Sequence, residues 1–278
     1  TTEIYTLSLH DALPICAITK PHPDYQAIKV ADEQGKYKQL NTSLLQIENE
    51  FYGSVRPKRT AGPGETALQA LRLGGVEYVE VRCVDLDPYH PLGISSEQMH
   101  FLDAFLLHCL LSDSPTTDEV EHHQLQENQA RIVYRGREPG LKLWSGDSER
   151  AMEEWGKELL TSIGQSAALL DASFGGDYFS AAVQHQVAKL DHPELTPSAR
   201  FLADMEKGNL SFAQLSMNLA KQHRQHFEDR PLKPETLAEY RQLAEASLAE
   251  QRELEAQEEG SFEDYMRRYY RQYEGCQE

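Results

Sequence analysis

Polar and apolar side chains alternate along the stretch LLQIENEFY at residues 44–52. Because successive side chains of a β-strand point to opposite faces, a strand here would place Glu48, Glu50 and Tyr52 together on one face. We therefore predict a strand over these residues. Like charges on one strand face repel each other, so the two glutamates need solvent, a bound metal ion or the basic segment RPKR at residues 56–59 close by.

A second alternating stretch, VEYVEVRCVDLDP at residues 76–88, is rich in valine and ends at a proline. These features predict a strand in which Glu80 and Arg82 point to the same side, because they are two residues apart. Between the two predicted strands, TALQALRLG at residues 66–74 predicts a short helix, which the glycine pair at its end can terminate.

From Ser95 onward the spacing of apolar residues becomes helical. Ser95 or Ser96 can cap a helix through FLDAFLLHCLLSD, RGREPGLKL is a turn-rich crossing segment, and nearly all of the sequence after residue 148 favours helix. The acidic stretch at residues 234–259 is amphipathic, and we predict a surface helix packed by one face rather than a coiled coil. Two strands followed by many helices predict an α+β fold, with a loose boundary near residue 148.

Composition narrows the classes of partner. The 278 residues include 45 acidic and 27 basic side chains, for a formal charge of -18, so the surface repels nucleic acid and anionic membranes. No apolar stretch reaches the ~18–20 residues of a membrane span. The four cysteines are widely separated without a CxxC pair, which indicates reduced thiols rather than a disulfide framework or a zinc site. We expect a cytoplasmic protein with no nucleic-acid or membrane partner.

The pair Glu80 and Arg82 has two interpretations. A carboxylate and a guanidinium side by side on a strand can form an ordinary exposed ion pair. The less common alternative is a phosphoryl-transfer site, in which the carboxylate holds Mg²⁺ and the guanidinium binds phosphoryl oxygens. Arg56, Lys58 and Arg59 form the densest basic cluster of the chain and could meet phosphates or be solvated. P-loop, Rossmann and α/β-hydrolase motifs are missing from the sequence.

Several ordered segments carry a family resemblance: LLQIENEFYGSVRPKR, GGVEYVEVRCVDLDPYHPLGI, EQMHFLDAFLLHCLL and GREPGLKL. Together they resemble the C-terminal half of the proteobacterial glutamate–cysteine ligases. The resemblance is strong over residues 17–145, continues through DHPELTPSAR at residues 191–200 and fades in the final helices. It implies a C-terminal portion of the catalytic core at residues 17–147 and a helical region at residues 148–278.

The resemblance also implies a fold and a reaction. The expected fold is α+β, with part of the antiparallel sheet of a glutamine synthetase-like ligase core. ATP would phosphorylate the γ-carboxylate of L-glutamate, and the amine of L-cysteine would then attack the acyl phosphate, with Mg²⁺ as cofactor. A monomeric enzyme is expected.

Position by position, the resemblance implies that Glu80 is a metal ligand, that Arg82 contacts the transferred phosphate and that Tyr52 helps form the cysteine pocket. The remaining metal and glutamate ligands of the family lie upstream, so we expect this chain to be inactive alone. Two alternatives stay open: a related carboxylate–amine ligase with another amine acceptor, and a non-catalytic helical interaction module.

The opening TTEIYTLSLHDALPI, residues 1–15, resembles the translation of a short-read sequencing adapter. We therefore interpret residues 1–16 as an artefact, exclude them from the fold prediction and expect the natural protein to extend further upstream.

Overall fold

The structure is a computed structural model that describes residues 17–257 and 260–273. The predicted adapter origin of residues 1–15 concerns a segment outside the described residues and stays a prediction. The described residues fall into two compact units: one comprises the residues up to Asp85 together with those from Lys233 onward, and the other is Leu86–Leu232. This division reflects which residues contact one another in the structure. The functional boundary predicted at residue 148 follows sequence character and stays a separate prediction.

The helices and strands of the described residues follow one another along the chain in a fixed order. They are α1 (Pro23–Ile28), a 3₁₀ helix (Glu48–Glu50), β1 (Val55–Lys58), α2 (Ala67–Gly74), β2 (Tyr78–Val81), α3 (Ser96–Leu111), α4 (Glu119–Arg135), β3 (Lys142–Ser145), β4 (Ser148–Ala151), α5 (Met152–Phe174), α6 (Tyr178–Asp191), a second 3₁₀ helix (Pro193–Leu195), α7 (Pro197–Gly208), α8 (Phe212–Glu228), α9 (Pro234–Gln257) and α10 (Phe262–Arg271). The predicted α+β class is confirmed, since helices dominate the described part of the chain beside two small antiparallel sheets.

The first unit contains the antiparallel pair β1–β2, in which Arg56 lies opposite Glu80 and Lys58 opposite Tyr78. The predicted strand at residues 76–88 is therefore confirmed in a shorter form. The short helix α2 lies between the strands as expected. The side chain of Thr66 caps its first turn by accepting from Gln69 N, and the backbone leaves the helix at Gly75 with φ of +77°.

The predicted strand at residues 44–52 is wrong. This segment is irregular and contains the 3₁₀ helix Glu48–Glu50. Its polar side chains bond to backbone groups elsewhere: Glu48 accepts from two amides of α2, and Gln46 Oε1 accepts from Leu40 N at 2.6 Å. Because these side-chain bonds fix the backbone, no ladder forms and the two-residue alternation does not apply.

Helix α9 confirms the predicted helix over residues 234–259 within its described part, but the predicted packing by one face is not observed. None of its residues is buried, and apolar side chains such as Leu243 and Leu254 are more than half exposed. None of the described helices has the length and apolar character needed to cross a membrane. Cys83 and Cys109 are free thiols, whereas Cys16 and Cys276 lie outside the described residues.

The second unit is organised by three packed helices, α3, α5 and α6. Ser95 caps α3 in a reciprocal capping box with Gln98, as its position in the sequence predicts. The hydrophobic core of this unit lies between the three helices and consists of small, branched and aromatic side chains: Ala104, Leu160, Ile163, Ala167, Phe179 and Val183. The turn-rich segment at residues 135–143 leads into β3, which pairs with β4.

Replacement of Ile163 by alanine should lower the free energy of unfolding by about 2–5 kcal/mol, because Ile163 is 1% exposed and its loss leaves a cavity. Leu169 on the same helix is 57% exposed, and Leu169→Ala should cost about 0.5 kcal/mol or less. Urea denaturation of both variants measures the difference. Equal losses would contradict the assignment of the core to this face of α5.

Candidate active site

The β1–β2 pair places four charged side chains on one face. Arg56 and Glu80 are direct cross-strand partners. Lys58 lies two residues after Arg56 in β1, and Arg82 lies two residues after Glu80, immediately beyond the end of β2. Two additional backbone hydrogen bonds hold the ends of the pair, from Arg82 N to Ser54 O at 2.7 Å and from Glu77 N to Lys58 O at 2.9 Å. The backbone therefore fixes the spacing of these charges.

Glu80 lies between two cations. Its Oε1 is 2.9 Å from Arg82 Nε, and its Oε2 is 3.4 Å from Lys58 Nζ. The predicted same-side arrangement of Glu80 and Arg82 is thus confirmed. The Oε2 atom is shielded from solvent but lacks a well-formed hydrogen bond, since Lys58 meets it only at ion-pair distance. With Arg56, the face carries more positive than negative charge in a chain whose net charge is -18.

The electrostatics keep the central carboxylate ionised. The hydrogen bond from Arg82 lowers the pKa of Glu80, partial desolvation opposes this effect, and Lys58 lowers the pKa further. Because the pKa is lower in the folded protein, the ion pair stabilises the fold above the ordinary glutamate pKa. This stabilisation is lost as the pH falls through the lowered value. Glu80 in turn raises the pKa of Arg82 through their hydrogen bond.

Tyr52 joins this group from the segment that precedes β1. The Cζ atom of Arg82 lies 5.6 Å from the centroid of the Tyr52 ring, which is a cation–π distance. Tyr52 is 69% exposed, so one side of its ring remains open. The structure therefore brings together all three residues to which the sequence assigned a role, while the roles themselves stay predictions.

Lys58 is the residue whose position the sequence did not reveal. Its contact with Glu80 depends on the register of the strand pair, and nothing in the sequence specified that register. The neighbouring Arg59 does not join the cluster but donates to Gly74 O at 2.6 Å and to Gly75 O at 3.3 Å, at the end of α2. A Cβ at Gly74 would overlap the Arg59 side chain, so a larger residue there would require the guanidinium to shift away from these carbonyls.

The sequence left solvent exposure, metal binding or pairing with the RPKR segment open for Glu48, and in the structure its carboxylate bonds to backbone amides of α2. Both of its oxygens accept from backbone amides of α2, Oε1 from Ala67 N at 2.5 Å and Oε2 from Leu68 N at 3.2 Å. The carboxylate lies at the positive end of a helix dipole and satisfies two of the amides that have no partner within the helix.

The donor set of the cluster falls short of a complete site for a divalent cation. Within residues 17–257 and 260–273, no group of three or more His, Cys, Asp or Glu side chains is arranged to hold a metal ion. The shielded Glu80 Oε2 fits one ligand position, but Mg²⁺ takes six oxygen ligands in near-octahedral geometry. The described residues can therefore supply one ligand of such a site.

Comparisons with known proteins show what this chain is similar to. The sequence model of a family described as glutamate-cysteine ligase matches residues 5–132. A glutamate–cysteine ligase from Saccharophagus degradans is 41% identical over 261 residues, which are 94% of this chain and 49% of that protein. One from Bordetella parapertussis is 46% identical over 255 residues, which are 91% of this chain and 48% of that protein.

A solved structure agrees with these relatives. The crystal structure of a glutamate–cysteine ligase from Francisella tularensis in complex with AMP is similar to this chain with a TM-score of 0.86 and 32% identity. The similarity covers 95% of this chain and 52% of that one. The chain thus spans about half the length of the relatives it matches. Sequence and fold agree along nearly the whole chain, which is therefore similar over its own length to about half of a glutamate–cysteine ligase.

Proposed function

We propose that this chain is the C-terminal part of an ATP-dependent ligase that joins the γ-carboxylate of L-glutamate to the amine of L-cysteine through γ-glutamyl phosphate. This reaction is the first step of glutathione biosynthesis. One observation carries the proposal: Tyr52, Glu80 and Arg82 form one cluster in a chain whose relatives named above are glutamate–cysteine ligases. ATP and Mg²⁺ are the cofactors in this proposal, and the enzyme is monomeric and cytoplasmic.

The chemistry requires positive charge at the transferring phosphoryl group. A carboxylate is a poor electrophile, and conversion to an acyl phosphate supplies a leaving group that an amine can displace. Arg82 is suited to stabilise negative charge on the phosphoryl oxygens, because Glu80 and the Tyr52 ring fix the direction of its guanidinium. Lys58 and Arg56 add to the positive field on the same face.

Glu80 and Tyr52 have complementary roles in this proposal. Glu80 provides one carboxylate ligand for Mg²⁺, which when bound would offset the charge of the nucleotide phosphates. The lowered pKa of Glu80 supports this role, because a metal ligand must be deprotonated. Tyr52 presents an exposed aromatic face beside Arg82, which fits one wall of the pocket for the cysteine substrate.

The 278-residue chain alone should produce no γ-glutamylcysteine, because the described residues supply only one ligand of a magnesium site. The measurement is ADP release in the presence of ATP, Mg²⁺, glutamate and cysteine, with reactions lacking one amino acid as controls. ADP release that depends on both amino acids would contradict this expectation.

In the complete ligase that contains this chain, Glu80→Ala and Arg82→Ala should each lower turnover by about 100-fold or more, the scale for loss of one group that stabilises transition-state charge. Glu77→Ala is the matched control. Glu77 lies three residues before Glu80, so alternation places its side chain on the opposite face, and its carboxylate accepts from Thr60 N at 3.0 Å. Steady-state ADP release measures all three variants. Near-normal turnover in either site variant would refute the role assigned to that residue.

A further inference from the structure

A group of tyrosines at the C-terminal end of α10 contacts the segment that leads to Tyr52. The hydroxyl of Tyr273 donates to Glu48 Oε2 at 3.1 Å and lies 3.1 Å from the hydroxyl of Tyr269. The hydroxyl of Tyr270 donates to Gln46 O at 2.7 Å. These contacts join residues that are 225 and 224 positions apart in the sequence, so α10 is fastened to the chain just before the candidate site.

The same end of α10 also holds the beginning of α2. Gln272 accepts from Thr66 N at 2.8 Å through Oε1 and donates to Gly64 O at 3.0 Å through Nε2. Glu48, which Tyr273 contacts, accepts from the first two amides of α2. One carboxylate therefore links three segments: the 3₁₀ helix that contains it, the N-terminus of α2 and the C-terminus of α10.

The contact between Glu48 and Tyr273 lies next to both segments that lead to the candidate site: the one that ends at Tyr52 and the one that runs through α2 to β2. In one direction, Phe51 N donates to Glu48 O at 3.1 Å and Tyr52 follows immediately. In the other direction, α2 runs to Gly75 and on to β2, which carries Glu80. Because Tyr52 is largely exposed, its position depends on the backbone that precedes it more than on packing around its ring.

The link is protected from solvent. Tyr273 is 2% exposed, and its burial raises the pKa of its hydroxyl well above the ordinary tyrosine value. A tyrosine hydroxyl is protonated and able to donate at neutral pH, and the raised pKa keeps it so in more alkaline solution as well. A buried hydroxyl that donates to a carboxylate makes a charge-assisted hydrogen bond, which is stronger than a bond between neutral groups.

We propose that Glu48 and Tyr273 are positioning residues for the amine substrate: they fix the backbone that carries Tyr52, and through it the affinity for cysteine. This proposal rests on the proposed function, in which Tyr52 lines the cysteine pocket. It assigns to Glu48 the role of a structural link, where the sequence had left solvent exposure, metal binding and pairing with the RPKR segment open.

The test uses the Tyr273→Phe variant of the complete ligase, which removes the hydroxyl and keeps the ring. The KM for cysteine should rise about fivefold, the factor that corresponds to the ~1 kcal/mol of one hydrogen bond. The kcat at saturating cysteine and the KM for ATP should stay within about twofold. Hydrogen–deuterium exchange should become faster in the peptide that spans residues 48–54.

Two further substitutions separate positioning from general stability. Glu48→Gln keeps one oxygen that can accept from Ala67 N but places an NH2 group where Oε2 accepts from Leu68 N and Tyr273, so it should raise the KM for cysteine about as much as Tyr273→Phe does. Glu48→Ala removes all three bonds and should raise the KM for cysteine more. Tyr265→Phe is the matched control, since Tyr265 lies on the same helix, is 50% exposed and stacks on Tyr269 through its ring. It should change neither KM nor exchange.

Two outcomes would overturn the proposal. In the first, the variants lose thermal stability or exchange faster while the KM for cysteine stays normal, which leaves Glu48 and Tyr273 a structural role only. In the second, all kinetic constants change in parallel. If the unmodified complete ligase shows no ADP release dependent on glutamate and cysteine, the proposed function fails instead, and unchanged exchange at residues 48–54 in the Tyr273→Phe variant would then refute the link independently.

Discussion

The register between β1 and β2 is the constraint on which the candidate site depends. It places Arg56 opposite Glu80 and brings Lys58 within ion-pair distance of the same carboxylate. A slip of one residue would turn every side chain of one strand to the other face and would dissolve the cluster. Each strand is only four residues long. The two flanking backbone hydrogen bonds, from Arg82 N to Ser54 O and from Glu77 N to Lys58 O, therefore help to hold this register.

The site also shows how a strongly acidic protein can present positive charge to an anion. Arg56, Lys58 and Arg82 lie together on one sheet face, and a single carboxylate offsets them there. At physiological ionic strength the field of the distant acidic residues is screened over about 8 Å, whereas charges in direct contact are screened much less. The local arrangement therefore decides which ligands the face attracts, and the net charge of the chain does not.

Much of the fold was predictable because its signals are local. The capping box at Ser95 and the valine-rich alternation at Glu80 lie within a few residues of the structures that they specify. The segment around Glu48 was predicted wrongly because its partners are distant: α2 begins 19 residues later and Tyr273 lies 225 residues away. An alternating pattern cannot show that a carboxylate is taken by a helix N-terminus or by a tyrosine from the other end of the chain.

For the candidate site, two-residue spacing was sufficient to place Glu80 beside Arg82, and the family resemblance was needed to give them roles. Lys58 could not be placed, because the cross-strand partner of a residue follows from register and not from the sequence of one strand. The exposed apolar side chains of α9 show a related limit of sequence patterns. Amphipathic character predicts a face that can pack but does not specify what packs on it.

By capping α2, Glu48 connects the 3₁₀ helix to the N-terminus of α2, so the chain between them forms a closed loop. Because this cap and the strand pairing fix both ends of the connection between β1 and α2, residues 60–65 do not set the distance between them. Loop closure depends only weakly on length, and each doubling costs about 0.6 kcal/mol. A change in the length of this connection, away from Thr60 and Gly64 whose backbone groups are hydrogen-bonded, should therefore leave the geometry on either side largely in place.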